Sequence, residues 1–136
     1  MDTSPVLIEL PPTPGAVAIA RQFVSDHGNG LDLAVIEDAE LLVSELVTNA
    51  IKHGKPAILL RVRSEPPGIG VEVRDEGPED PVMPNEEPVH DQRSGRGLRM
   101  VAAVASAWGV RRPADGPGKV VWFTLQPTAT TPTSQR

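Results

Sequence analysis

The segment SELVTNAIKHG, residues 44–54, has the pattern of the end of a long amphipathic helix. Apolar residues recur there at helical spacing, and Gly54 and Pro56 end the pattern. Glu45 and Asn49 are four residues apart, so they lie on one helical face, one turn from each other. We interpret this face as one wall of a cleft, although the polar edge of an ordinary amphipathic helix has the same pattern.

The chemistry of this pair suits a phosphate site. A carboxylate such as that of Glu45 can accept a proton or orient a water molecule. The amide oxygen of Asn49 is a neutral oxygen ligand of the kind that Mg²⁺ takes, while the ion keeps several waters. The pair therefore indicates a candidate catalytic base beside a candidate metal ligand.

The rest of the chain predicts a small α+β domain. Strands are predicted at 6–10, 57–64, 70–75, 110–112 and 119–126, and helices at 14–27, 32–53 and 97–108. Because strands and helices are mixed along the chain, we expect a two-layer sandwich with a mixed, mostly antiparallel sheet and three helices on one face. The domain is predicted to span residues 1–126, and the polar segment 127–136 is predicted to be a disordered tail.

Composition excludes several classes of protein. The 136 residues carry a net charge of −5, which argues against nucleic acid as a direct partner. The sequence holds no cysteine, so thiolate catalysis and disulfides are excluded. It has no apolar run of the roughly 20 residues that span a bilayer, and no signal peptide opens it. We expect a cytoplasmic protein that does not bind membranes.

A second motif, VRDEGPEDP, lies where a predicted strand ends. Asp75 could accept a hydrogen bond from an exocyclic amine such as that of adenine, and Gly77 would let a flat ring approach the backbone. A plain strand-ending turn has the same residues. The segment 76–94 that follows has no periodic pattern, and loops of this length are often functional lids.

A third motif, RSGRGLRMV, precedes the last predicted helix. Gly95 and Gly97 are expected immediately before that helix, where free backbone N–H groups form an anion site. Arg93 and Arg96 add positive charge. A flexible hinge followed by a helix start is the alternative interpretation.

In chain order, these three motifs resemble those of the Bergerat-fold, or histidine-kinase-like (GHKL), ATPases. The stretches ELVTNAIKHG, VEVRDEGP, RSGRGLRMV and VVWFTL further resemble single-domain anti-sigma factors with serine-protein kinase activity, of the actinobacterial type. The resemblance covers roughly residues 6–126. It implies an ATP-binding domain that uses ATP and Mg²⁺.

The resemblance implies a role for each motif residue. Glu45 would be the general base that activates a serine hydroxyl on a partner, and Asn49 would coordinate Mg²⁺ between the ATP phosphates. Asp75 would hold the adenine amine, and Gly77 would make room for the ring. The residues implied to close over the phosphates or to stabilise the transferred charge are Gly95, Arg96, Gly97 and Arg93.

Two further residues keep two interpretations each. His53 could touch phosphate or could cap the end of the helix. Thr124, on the last strand, could contact adenine directly or through water, or could be an ordinary strand threonine.

The resemblance also implies partners and an activity. The leading hypothesis is an anti-sigma factor that binds a sigma factor and phosphorylates a serine of a STAS-type antagonist (anti-anti-sigma) protein. The dimer region would be the first helix, around residues 16–24. The alternative is a non-catalytic module whose protein binding is gated by ATP. A histidine kinase fragment is disfavoured because no phosphoacceptor helical hairpin precedes the domain.

Overall fold

The computed structural model describes residues 4–78, 92–114 and 116–127, with residues 92–97 described by their backbone alone. Five strands form one sheet, and the three helices pack on one face of it, as predicted. In chain order the elements are β1 (Val6–Leu10), α1 (Ala16–Asp26), α2 (Leu33–His53), β2 (Ile58–Glu65), β3 (Gly68–Asp75), α3 (Gln92–Val104), β4 (Ala107–Arg111) and β5 (Lys119–Leu125).

The strand order in the sheet is β1-β2-β3-β5-β4. Each neighbouring pair of these strands is antiparallel, so the expectation of a mixed sheet is corrected to a fully antiparallel one in the described residues. The reason lies in the connections: β2–β3 and β4–β5 are joined by short loops that reverse the chain. The path through α3 and β4 returns β5 to the edge of β3 in the opposite direction.

Helix α2 is the central element of the helical layer. The side chain of Asp32 caps its start by accepting a hydrogen bond from the amide of Ala34 at 3.1 Å. The helix contacts α1, α3, β3 and β5, so its apolar stripe is buried on several sides. The buried apolar residues of α2 are Val35, Ala39, Leu42, Val43, Leu46, Val47 and Ala50. No helix in the described residues is long and apolar enough to cross a membrane.

Alternation along the strands defines two faces of the sheet. Residues directly opposite each other in an antiparallel pair point to the same face. Asp75 pairs with Lys119, and both are buried on the helical face together with the apolar core. Gly70 pairs with Thr124, five positions away along β3, so Thr124 belongs to the opposite face. We call that opposite surface the open face of the sheet.

Both ends of the last helix, and the strand that follows it, differ from the prediction. Helix α3 begins at Gln92, whereas the sequence predicted a start at Gly97. It ends at Val104, and the chain then pairs with β5, where Trp108 lies opposite Phe123. Alanine-rich sequence favours a helix, but the pairing of β4 with β5 overrides that local preference. Most of the predicted lid, residues 79–91, and the tail from residue 128 lie outside the described residues.

Candidate functional site

Asp75 is the most buried acidic side chain among the described residues, with 2% of its surface exposed. Its Oδ1 accepts a hydrogen bond from the amide N–H of Gly77 at 2.7 Å and a longer one from the amide of Lys55 at 3.4 Å. The same oxygen accepts a hydrogen bond from the ammonium group of Lys119 at 3.1 Å. No described residue donates to Oδ2. Asp75 is therefore fixed through one oxygen and keeps the other as an open acceptor.

Lys119 is not among the site residues that the sequence predicts. Its side chain is 4% exposed, and its only ion-pair partner in the described part of the chain is Asp75. A lysine is almost never this buried unless it is paired, because desolvation of the ammonium group is costly. Two of its three N–H donors consequently have no acceptor among the described side chains or backbone groups. The buried pair of Asp75 and Lys119 thus holds both an open acceptor and open donors among the described residues.

The chain after α2 packs directly against the Asp75 carboxyl group. A Cβ atom at position 54 would lie 2.5 Å from Oδ1 of Asp75 and 2.6 Å from Oδ2, so only glycine allows this approach. The backbone N–H of Glu76 donates to the carbonyl of Lys55 at 2.8 Å, which ties this segment to the end of β3. Gly54 therefore fixes the position of the carboxylate. From the sequence, Gly54 is predicted only to end the helix.

Gly77 also packs against the carboxyl group of Asp75. Its amide hydrogen bond to Asp75 is the shortest that the carboxylate receives. A Cβ at position 77 would lie 3.0 Å from Oδ1 of Asp75 and 3.1 Å from Cα of Gly54. The absence of a side chain at Gly77 thus makes room for the carboxylate and the neighbouring backbone. This packing is independent of any role of Gly77 beside a bound heterocyclic ring.

Three polar residues of α2 form a stripe that leads to Asp75. Glu45, Asn49 and His53 are spaced by four residues each, so they share one side of the helix. All three are half-buried, and the side chains of Glu45 and Asn49 make no hydrogen bond to any described residue. The Nε2 atom of His53 is buried and has no partner in the same part of the structure. Buried polar atoms normally find partners, so Nε2 of His53 is open to a group outside the described residues, while Glu45 and Asn49 are open to solvent or a ligand.

A small cavity joins these residues. Its volume is about 10 Å³, and it lies between α2 and the ends of β3 and β5. This is the room of roughly one water molecule, so a larger ligand must displace side chains to bind there. The residues that line it are Leu46, Asn49, Ala50, His53, Val73, Asp75, Lys119 and Val121. Apolar walls with a few polar groups are typical of small-molecule sites.

The predicted site residues are therefore brought together only in part. Asn49, His53 and Asp75 line one cavity, and Gly77 supports it. Glu45 lies one helical turn before Asn49, outside the lining of the cavity. The resemblance predicts this position for a group that acts near the phosphates of a nucleotide rather than near its adenine ring.

Thr124 is not brought to this cavity. It lies on the open face of the sheet and lines a separate cavity together with Trp122 and Arg63. The strand contributes Lys119 and Val121 to the site instead. Because the side chains of a strand alternate between faces, Thr124 points away from the side of β5 that contributes to this cavity.

The phosphate-loop motif has a different backbone conformation from the expected one. Gly95 and Gly97 lie within α3 rather than before it, as do Arg93 and Arg96. The free amide groups of a helix belong to its first turn, and Gly97 lies beyond that turn. The prediction of glycines standing free before the helix is corrected accordingly. The side chains of Arg93 and Arg96 lie outside the described part, so their predicted roles stay predictions.

The donor set fits a metal ion held mainly by a bound phosphate chain. In residues 4–78, 92–114 and 116–127, no group of three or more His, Asp or Glu side chains could hold a metal. Asn49 offers one neutral oxygen without a competing partner, and Glu45 offers a free carboxylate one turn away. One or two protein oxygens plus phosphate oxygens and waters are the usual coordination of Mg²⁺.

A larger cavity of about 450 Å³ lies on the open face of the sheet and includes Arg61, Glu72 and Arg111. Its charged groups satisfy one another: Glu72 accepts from Arg111 at 3.2 Å and lies 3.8 Å from Arg61. It contains none of the motif residues Glu45, Asn49 and Asp75, so its size alone does not make it the functional site.

Comparison with known proteins identifies the family of the chain. Residues 10–125 match the model of the histidine kinase-like ATPase domain. No curated protein matches the sequence significantly. Among solved structures, the histidine kinase domain of the blue-light activated histidine kinase from Erythrobacter litoralis EL346 is similar, with a TM-score of 0.51 and 23% identity. That similarity covers 82% of this chain and 59% of the other, so this chain matches somewhat over half of that protein's length.

The histidine kinase AdeS of Acinetobacter baumannii is more distant, with a TM-score of 0.45 and 14% identity over 93% of this chain and 68% of that one. The Erythrobacter domain shares the fold of this chain. The family match spans most of the chain, including α2 and the ends of β3 and β5. The chain therefore belongs to the family of histidine kinase-like ATPase domains.

Proposed function

We propose that this chain binds Mg-ATP at the Asp75 cavity and acts as a regulatory protein-serine kinase. One observation carries the proposal: the unpartnered stripe Glu45, Asn49 and His53 leads along α2 to a buried carboxylate with an open oxygen. ATP has a group for each part of this arrangement. Domains of this family bind ATP, typically with Mg²⁺, which supports the same assignment.

The adenine ring of ATP would lie next to Asp75. Oδ2 of Asp75 is free to accept a hydrogen bond from the exocyclic amine of adenine, while Oδ1 is held by Gly77 and Lys119. Leu46, Val73 and Val121 supply apolar surface for the faces and edges of the ring. The base must widen the cavity as it binds, since about 10 Å³ does not hold a purine.

The phosphates would lie along the polar stripe of α2. Asn49 would hold Mg²⁺ through its amide oxygen, and Nε2 of His53 would contact the sugar–phosphate part of the nucleotide. The ion, when bound, neutralises charge that develops on the phosphates during transfer. Arg93 and Arg96, which the resemblance assigns to the phosphates, would complete the phosphate site from the N-terminal part of α3.

Glu45 would act on the partner's serine. Its carboxylate is half-buried and free of ion pairs in the described structure, one turn beyond the metal ligand. It would take the hydroxyl proton as the serine oxygen attacks the γ-phosphorus, and the bond from that phosphorus to the β-phosphate oxygen would break to release ADP. The products are phosphoserine and ADP, with the proton on Glu45.

The partner assignment comes from the resemblance of the motifs to actinobacterial anti-sigma factors. The proposed partners are a sigma factor, which the protein would sequester, and a STAS-type antagonist, which it would phosphorylate. A homodimer through α1 is part of the same proposal. Ile19 of α1 is 41% exposed, which gives this helix an apolar residue at the surface.

A phosphotransfer assay with radiolabelled γ-phosphate tests the kinase proposal. The chain is incubated with Mg-ATP and STAS-domain proteins from the same genome, and phosphoserine is detected on the partner. Glu45→Gln should lower transfer by at least about 100-fold, in the range attributed to a general base. Glu37→Gln is the matched control, because Glu37 is an exposed residue of the same helix, two turns earlier. Undiminished phosphotransfer by Glu45→Gln would contradict the assignment of Glu45 as the general base.

The alternative is a non-catalytic module whose partner binding is gated by ATP. The small volume of the cavity favours coupling of this kind, because nucleotide cannot bind without moving side chains. Nucleotide-dependent partner binding without phosphoserine on any STAS protein, in wild type and Glu45→Gln alike, would support this reading instead.

A further inference from the structure

We propose that Lys119 reads the base: its ammonium group donates a hydrogen bond to N1 of adenine while Asp75 holds the neighbouring amine. The inference rests on the proposed nucleotide site and adds the residue that recognises the ring itself. It begins from an unusual feature of the described structure. A buried lysine forms a single ion pair and keeps two donors without acceptors.

The arrangement of donors and acceptors complements one edge of adenine. On that edge an amine donor at C6 stands beside an acceptor nitrogen at N1. In the site, an acceptor, Oδ2 of Asp75, stands beside a donor, the ammonium group of Lys119, which is 3.1 Å from the other oxygen of the same carboxylate. The guanine edge has the opposite order, with an acceptor at C6 and a donor at N1. The pair therefore favours adenine and opposes guanine in this orientation.

The depth of the site selects N1 over N7. Both nitrogens flank the amine, but the sugar leaves the ring at N9, on the side of N7. Lys119 and Asp75 are 3% and 2% exposed, whereas Asn49, which lines the same cavity, is half-buried. The sugar and phosphates must point the other way, toward Asn49. The edge farthest from N9 enters first, and that edge carries N1 and the amine.

Burial makes this contact strong. A hydrogen bond to a charged group contributes more than one between neutral groups, and low exposure reduces competition from water. The flexible four-carbon stem of a lysine also lets the ammonium group adjust as the cavity widens around a ring. The backbone of the preceding residue, Gly118, packs on the carbonyl of Asp75 with φ +101°, a conformation that favours glycine, and this holds the two strands in register.

Nucleotide analogues test the proposal without altering the protein. Calorimetry would compare wild-type binding of Mg-ATP, its 1-deaza analogue, which lacks the N1 acceptor, and its 7-deaza analogue as the control. We expect the 1-deaza analogue to bind at least about tenfold more weakly than ATP, as for a lost hydrogen bond to a charged group. The 7-deaza analogue should bind within about twofold of ATP, below the worth of a hydrogen bond.

Two variants of the protein test the same contact from the protein side. Lys119→Met should bind ATP and the 1-deaza analogue with equal affinity, and Arg63→Met should keep the wild-type preference. Arg63 is an exposed residue of the open face, so this control removes the same charge away from the site. The wild-type comparison remains decisive if Lys119→Met does not fold.

Three outcomes would overturn the proposal. Equal wild-type affinity for ATP and its 1-deaza analogue would show that no donor reads N1, although the nucleotide site itself would stand. Tighter ATP binding by Lys119→Met would show that Lys119 competes with the base. Absence of ATP binding by the wild type would overturn the nucleotide site together with this inference.

Discussion

Lys119 lies directly opposite Asp75 in the pairing of β3 with β5, and its ammonium nitrogen is 3.1 Å from Oδ1 of that carboxylate. The two side chains are 4% and 2% exposed, so the ion pair is almost completely removed from water. Such a pair does not by itself prove a gain in stability, because desolvation offsets much of the attraction. Its chemical consequence is clearer: it places one charge of each sign beside the apolar wall of the small cavity.

The energetic coupling of this pair is testable. Lys119→Met should lower the free energy of unfolding by about 3–5 kcal/mol, because it leaves the carboxylate of Asp75 buried without a counter-charge. The double variant Asp75→Asn with Lys119→Met should recover most of that loss. Urea unfolding followed by circular dichroism measures both values.

The control for that experiment is Arg63→Met. Arg63 forms an ion pair with Glu65 in which the two side chains are 48% and 40% exposed, so its loss should cost no more than about 1 kcal/mol. A Lys119→Met protein as stable as Arg63→Met would contradict the account of a costly buried carboxylate.

The close approach of Gly54 to Asp75 gives a second prediction. Gly54→Ala would place a Cβ on the carboxyl group, so the carboxylate must leave its position between Gly77 and Lys119. We expect a loss of about 1–3 kcal/mol in unfolding free energy, as for overpacking, together with weaker ATP binding. Urea unfolding and calorimetric titration measure the two effects.

Gly70→Ala serves as the matched control for that change. A Cβ at position 70 would meet Glu65 and Thr124 only at ordinary contact distances of 3.8 and 3.9 Å. This variant should keep wild-type ATP affinity. If Gly54→Ala also bound ATP normally, the carboxylate would not need its present position.

Thr124 provides a prediction of no effect. Because its side chain lies on the open face, Thr124→Val should leave ATP affinity unchanged within about twofold, less than one hydrogen bond is worth. Calorimetric titration with Mg-ATP measures this directly. A tenfold loss would mean that β5 presents the other face to the nucleotide.

The fold was largely predictable because its elements carry strong local signals. The stripe of α2 and the cap at Asp32 define a long helix, and alternating residues in β3 distinguish a buried side from a wet one. The start of α3 was predicted too late because glycines 95 and 97 have poor helix propensity, yet the structure includes both in the helix.

The site was predictable only where one element carried the signal. Glu45 and Asn49 follow from helical spacing, whereas Lys119 belongs to the site only through the register of β3 with β5. A charged residue beside a turn is normally expected at the surface. The strand KVVWFTL also has consecutive apolar residues from Val120 to Phe123, so alternation did not reveal that Thr124 and Lys119 face opposite ways.

The central claim is that Asp75 anchors a nucleotide, and calorimetric titration of the full chain with ATP, with and without Mg²⁺, tests it most directly. We predict saturable binding to the wild type that strengthens with Mg²⁺ and weakens by at least about tenfold in Asp75→Asn, which loses the charged acceptor. The double variant Asp75→Asn with Lys119→Met lacks both the carboxylate and the ammonium donor but should keep the fold, so weak ATP binding by this variant does not come from unfolding. Absence of binding to the wild type at millimolar ATP, or equal binding by wild type and both variants, would contradict the claim.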